Sequence, residues 1–374
     1  DIDLGVLPAG FHRMKLTLSL DDQALRTVDY PIFIGVPSTA RPLREPVIPV
    51  AVMLKKIVWK PIHTKTYWHA IAALLHEHHL NTVVTGGSHR ELPEIFQQYG
   101  LWTIVNSDNR LDHPAVVGMV NWNKRLDAMR RLQSASKKPV LTYLPAEKIA
   151  TGGEDDPLNV WQATEPTVRL VRIAPFGKKD SDWLSGHGRL TLPEALYRAY
   201  TATPTPWWAM LQATNTPENA GPARVPTPAE LRAQTHLALA CGAKGVMYHA
   251  LQSGVEMNAM VDRVSLRAAD KRLATVGELA DLISKHAAQI KAYQPVAAPQ
   301  PGKPASILAV RGKDHVYVVN TDTQRPMKGP IQLPMELPTE LTDQFQGKTL
   351  STKPVEVGVQ IELTLQPGEG RLLL

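Results

Sequence analysis

Leu231-Arg-Ala-Gln-Thr-His-Leu-Ala-Leu-Ala-Cys-Gly-Ala-Lys-Gly-Val-Met-Tyr-His-Ala-Leu-Gln-Ser253 reads as a buried helix, a glycine stop and a strand that runs out into polar residues. Leu231, Leu237, Ala238, Leu239, Ala240 and Cys241 leave the helix apolar on most sides. Such a helix packs against a sheet and not against water. Gly242 supplies the left-handed residue that ends it. Gly245 to Tyr248 is an apolar run without polar alternation, which suits a strand covered on both faces. His249, Gln252 and Ser253 follow at the strand's C-terminal end, where a β/α barrel handles ligands.

Upstream, the same alternation of strand and helix repeats. Apolar strands are expected at 47–54, 80–84, 101–105, 116–120, 139–144, 168–173 and 207–213. Helical stripes lie at 64–79 (Tyr67, Ile71, Leu74, Leu75, His78), 91–99, 125–136 and 192–200. With the strand at 244–248 this gives eight strands over about 250 residues, the signature of an α/β fold of the (β/α)8 TIM-barrel type. The link between the third and fourth strands is the shortest. One amphipathic helix, Leu266 to Tyr293, is expected to close the barrel.

The flanks are β-rich. Phe11 to Leu20 alternates polar and apolar residues, Asp21-Asp22-Gln23 turns the chain, and Leu25 to Ile34 returns. A lone hairpin is marginal in water, so this pair is expected to end a truncated β-sandwich or to pack on its neighbour. Gln294 to Pro304 reads as a linker. The runs 306–311, 315–320, 329–333, 359–365 and 370–374 read as an antiparallel β-sandwich. The expected domains are a β-strand segment over 1–38, a barrel over 39–296 and a C-terminal β-sandwich over 297–374.

Composition excludes several classes. The 374 residues are 43% hydrophobic and 20% charged, an ordinary globular balance. No apolar run has the length of a membrane span, and the N-terminus carries no signal-peptide pattern. The net charge of +6 is scattered in pairs such as Arg130-Arg131, Lys137-Lys138 and Lys178-Lys179. No basic stripe interleaves with aromatics, so nucleic acid is not an expected partner. Cys241 is the single cysteine, which excludes an internal disulfide and cysteine-built metal sites. Glu154-Asp155-Asp156 lacks the spacing of a metal loop, and Gly86-Gly87-Ser88 lacks that of a phosphate loop. His76 and His79, three apart on one helix face, suit a helix end as well as a metal. No metal and no cofactor are expected.

Three segments carry a family resemblance. They are Asp112-His113-Pro114 through Gly118 leading into the fourth strand, Pro206-Trp207-Trp208 through Ala213 in the seventh, and Pro226-Thr-Pro-Ala-Glu-Leu-Arg232 through Gly245 leading into the eighth. Together with Val316 to Asn320 and Leu365 to Gly370, their order resembles glycoside-hydrolase-like barrels of the beta-galactosidase-type clan, which carry flanking β-sandwiches. The resemblance implies a carbohydrate ligand and an extracytoplasmic, bacterial setting.

The resemblance also implies two carboxyl groups across the scissile bond, and here the chain departs from it. Asn123 and Lys124 stand where the fourth strand would run into its acids. Arg172 replaces an aspartate in the sixth strand, and Gln212 ends the seventh where a glutamate could sit. The expected function is carbohydrate binding without ordinary two-carboxylate catalysis. One alternative is an active glycosidase using Glu147, Asp108 or Glu256, each expected on the ligand face. A second alternative is a structural subunit of a larger assembly. Flat rings and amides suit sugar faces, so Trp122, Asn123, Trp208, Gln212, Tyr248, His249 and Gln252 are the candidate contacts. For the neighbouring Trp207 and Trp208, at least one must be core, because adjacent strand residues face opposite ways.

Overall fold

The computed structural model describes residues 10–21, 23–34, 48–54, 65–85, 91–106, 112–122, 131, 134, 136, 138–151, 158, 167–176, 183–184, 190–202, 204–215, 224–252, 258–262 and 266–374. A hairpin of β1 (Gly10–Leu20) and β2 (Gln23–Ile34) precedes eight parallel strands. These are β3 (Val50–Leu54), β4 (Thr82–Thr85), β5 (Trp102–Asn106), β6 (Val116–Asn121), β7 (Val140–Pro145), β8 (Val168–Ile173), β9 (Trp207–Gln212) and β10 (Val246–Gln252). β10 pairs with both β9 and β3, which closes the barrel. The short link from β5 to β6 still delivers a parallel neighbour.

The described helices are α1 (Lys65–Glu77), α2 (Leu92–Gln98), α3 (Ala146–Thr151), α4 (Leu192–Thr201), α5 (Pro228–Ala240), α6 (Arg272–Lys285) and α7 (Ala287–Ala292). Of the helix expected over 125–136, residues 131, 134 and 136 are described; the first two are helical and Ser136 is not. The hairpin lies against α1, and its Leu18, Leu20 and Leu25 are exposed.

Strand alternation separates two cores. Ala51, Val84, Ile104, Val120, Leu141, Leu170, Trp208, Met210 and Met247 fill the barrel interior. Val50, Val52, Val83, Val171, Ile173, Trp207, Leu211, Val246 and Tyr248 face outwards onto the helices. Trp208 needs Gly245 beside it: a Cβ there would lie 2.6 Å from the indole.

The helices are started by local chemistry. Thr227 caps α5 in a reciprocal box with Glu230, behind Pro228 in the first turn. Arg224 grips the Glu230 carboxylate at 2.7 Å and lies over the Phe176 ring. Thr191 and Glu194 repeat the box on α4. Helix ends are held too. Arg169, on the outer face of β8, donates to the carbonyls of Ala199 and Tyr200 in the last turn of α4 and to that of Thr205 in the segment after it. Lys244 donates to those of Ile290 and Lys291 at the end of α7, at 3.1 and 2.9 Å.

The single closing helix expected over 266–293 is two helices. His286, with φ −110° and ψ 22°, leaves the helical region between α6 and α7. Residues before Arg272 form a loop whose Ala268 bridges to Val261.

The C-terminal sheet runs β11 (Gln300–Pro301), β12 (Ile307–Arg311), β13 (Val316–Asn320), β18 (Gly370–Leu373), β15 (Glu340–Asp343), β16 (Lys348–Pro354), β17 (Val359–Leu365), β14 (Met327–Leu333). It folds over a core of its own that includes Ile307, Ala309, Val316, Val318, Ile331, Ile361 and Leu373. The alternate residues Leu308, Val310, Tyr317, Val319 and Leu372 join the barrel's outer core. Helix α5 therefore lies between two sheets, which is why most of its residues are buried, the polar Gln234, Thr235 and His236 included.

At that junction His236 is buried, with Nδ1 2.9 Å from the Tyr317 hydroxyl. Gly370 is required beside it, since a Cβ would lie 2.7 Å from the imidazole. Burial pushes His236 down from 6.5 to about 3, with Arg371 and Arg232 adding to the effect. The unfolded chain takes up this proton as pH falls below about 6.5, and the folded chain does not until near 3. Stability is therefore lost through that window, at about 1.4 kcal/mol per pH unit for this group. Urea unfolding at pH 7 and pH 4.5 should show a steeper loss in the wild type than in His236→Gln. Equal slopes would remove His236 from the acid sensitivity.

Candidate functional site

The C-terminal ends of the barrel strands are Leu54, Thr85, Asn106, Asn121, Pro145, Ile173, Gln212 and Gln252. None is a carboxylate. Just inside this rim, alternation decides what faces the mouth. Trp122 and Tyr143 are half-buried and pack on the barrel-interior cluster. Their rings meet edge to face, 5.3 Å apart at 60°. On the next strand Leu170 points inwards while Val171 and Ile173 point outwards. Arg172 therefore turns into the mouth. It is 5% exposed, and its neighbours in register are Pro145 and Met210. His249 follows inward-facing Met247 on β10, lies opposite Gln212 and is buried.

Gln212 is part of the frame beneath the loops. Its Oε1 accepts from the Phe176 N–H at 3.0 Å. Its Nε2 lies within donating distance of the carbonyls of Phe176 (3.2 Å), Thr214 (3.3 Å) and Arg224 (2.9 Å). Its backbone N–H and C=O are matched by the Gln234 amide on α5, at 3.0 and 2.7 Å. The residue thus ties the segments after β8 and β9 to the helix before β10. Arg272, at the start of α6, does the same for the last two mouth segments. Its guanidinium donates to the carbonyls of Ala213, Asn258 and Ala259, and its Nε lies 2.8 Å from the Asp270 carboxylate.

No family model matches the chain, and no curated protein matches it. Solved structures do. The α-amylase of Geobacillus thermoleovorans complexed with acarbose superposes with a TM-score of 0.52 at 9% identity, over 87% of this chain and 98% of that one. The α-fucosidase of Thermotoga maritima gives a TM-score of 0.46 at 10% identity, over 82% and 79%. A glycoside hydrolase family 5 protein from Bacteroides vulgatus gives 0.45 at 10% identity, over 87% and 89%. This chain is folded as a (β/α)8 barrel with a C-terminal β-sandwich. At such identities the likeness is one of fold, and function has to be argued from the site.

The structure divides the residues singled out in the sequence. Trp122 and His249 lie at the mouth, and Gln252 ends β10. Glu147 is the second residue of α3, directly after β7. Asp108, Asn123, Lys124 and Glu256 lie outside the described residues. Three candidates are placed away from the mouth surface. Tyr248 is fully buried on the outer face, with its hydroxyl 3.1 Å from that of Thr235 on α5. Trp208 belongs to the barrel interior. The amide of Gln212 is engaged by backbone groups. Residues the sequence reading passed over are Tyr143, Arg224, Glu230, Gln234 and Arg272. The spacing Thr227-x-x-Glu230 before an apolar run marks a capping box and could have found Glu230.

At the far end of α1, His79 lies 4.0 Å from the Asp281 carboxylate. Among the described residues no group of three or more His, Cys, Asp or Glu is gathered to hold a metal. No described helix is long and apolar enough to cross a membrane.

Proposed function

We propose that this protein binds carbohydrate in the mouth of the barrel and does not hydrolyse it by the ordinary two-carboxylate route. The observation that supports the reading most is the make-up of the rim. A half-buried Trp122–Tyr143 pair offers apolar ring surface to a sugar face, while all eight strand ends lack a carboxylate. Hydrolysis needs an acid and a second carboxylate about 5–10 Å apart. The position where a glutamate would be sought, Gln212, is committed to backbone hydrogen bonds. An extracytoplasmic site of action belongs to the same proposal, since free oligosaccharides and cell-wall polymers are met there.

A second reading, hydrolysis by unusual acids, is favoured by one observation. Glu147 stands in the first turn of the helix that directly follows β7, at the C-terminal end of that strand. The test is a glycan array with the full chain, followed by assays of sugar release from each bound glycan. Binding that falls at least 10-fold in Trp122→Ala, with no release, supports the proposal. Release that disappears in Glu147→Gln overturns it in favour of the second reading.

A further inference from the structure

The mouth also carries a permanent positive charge on its inner face, and that bears on which sugar it takes. We propose that the ligand is an acidic saccharide of the uronate class, its carboxylate held by Arg172 and its ring face by Trp122 and Tyr143. The inference rests on the carbohydrate reading above and narrows it.

Buried arginines elsewhere in the described structure serve the fold. Arg169, three residues earlier on the same strand, faces outwards and binds the end of α4. Arg272 holds backbone carbonyls and Asp270. Arg371 lies 3.1 Å from Asp343 and 2.6 Å from Glu369 in the C-terminal domain. Among these four buried arginines, Arg172 alone turns into the barrel interior. Solvent is mostly excluded there, and charge–charge and hydrogen-bond interactions are stronger than in water.

A guanidinium has five N–H donors in a planar fork. It can therefore take a carboxylate in the bidentate manner in addition to the partners it already has in the fold. The aromatic pair stands next to it. Tyr143 is in register with Leu170, and Pro145 with Arg172, so Tyr143 and Arg172 are diagonal neighbours on adjacent inner faces. A pyranose lying on the ring edge of Trp122 and Tyr143 would bring a C6 carboxylate towards the guanidinium. A neutral hexose would offer only a hydroxymethyl group at that point. No described strand end supplies a carboxylate that would repel the ligand.

The test is titration calorimetry of the full chain with members of three oligosaccharide sets: neutral, uronate-containing and sulfated. Each uronate oligomer is paired with its methyl ester. A uronate oligomer is expected to bind at least 10-fold more tightly than its methyl ester. Arg172→Met should abolish that preference, bringing acid and ester to the same affinity, and its folding is checked by circular dichroism. Arg172→Lys, which keeps charge but not the fork, should retain part of the preference and serves where the methionine variant fails to fold. Equal affinity for acid and ester, a preference that survives Arg172→Met, or binding confined to sulfated sugars would each overturn the uronate assignment. Binding of neutral sugars alone overturns it and leaves the carbohydrate reading standing, whereas binding of no glycan in any set overturns both.

Discussion

Gln212→Glu should destabilise the protein by about 3–5 kcal/mol, the range for leaving a buried charge uncompensated, and should not produce a hydrolase. The substitution looks mild, since it restores the residue type that glycoside hydrolysis would call for at the end of this strand. The hydrogen bonds forbid it. One end of the Gln212 amide faces an N–H, and the other faces the carbonyl oxygens of Phe176, Thr214 and Arg224. An amide accepts at one end and donates at the other, which an ionised carboxylate cannot do. A carboxylate would set its charge against three carbonyls in a site that is 2% exposed. The new acid would be held protonated well above its ordinary pH range, and in that form it could donate one bond. The deficit against wild type should therefore be largest at neutral pH and shrink towards pH 5. Urea unfolding at both values checks this, and sugar-release assays check the absence of activity. A stable Gln212→Glu protein with hydrolytic activity would show that Gln212 occupies a vacated catalytic position and not a framework one.

The architecture was legible because barrel strands buried on both faces read as unbroken apolar runs, and because capped helices with Pro and Gly at their ends punctuate the chain. Gly242, at φ +88°, stands where the helix had to stop. The failures are equally physical. His286 breaks the last helix without a glycine or proline to announce it. Strands β15 and β16 escaped notice because Glu340, Lys348, Thr349 and Ser351 are exposed, and the hairpin has little apolar alternation to display. The site was harder to read than the fold, because inside and outside depend on register that only closure of the barrel fixes. Arg169 and Arg172 are three residues apart on one strand, yet one supports a helix and the other enters the mouth. Tyr248 and His249 are adjacent, yet the ring that looked suited to a sugar is packed beneath a helix. Trp122 could be singled out as an aromatic at a strand end. Its partner Tyr143 could not, because the two meet only through the pairing of β6 with β7.

Arg272→Ala should cost about 3–5 kcal/mol, comparable to breaking a buried charged network from one side, and should loosen the mouth before it unfolds the barrel. The side chain is buried at the start of α6, with Asp270 two residues before it. Its donors satisfy carbonyls on two separate segments, Ala213 after β9 and Asn258 and Ala259 after β10. Removing them takes a donor from the buried carbonyls of Ala213 and Ala259, and each carries a desolvation penalty of about 1–3 kcal/mol. Arg272→Lys should recover only part of the loss, because one ammonium cannot span the positions that a planar fork reaches. The loss should also be local in kind. This guanidinium joins residues 213–215 to 258–262 alongside the bonds that Ala213 and Val261 make to β10, so the amides of both segments should exchange hydrogen faster in the variant while Val246 to Tyr248 stay protected. If the inner strands lose protection to the same extent, Arg272 stabilises the barrel as a whole. If only the two rim segments open, and saccharide binding weakens with them, the arginine holds the mouth in its binding shape from outside the site.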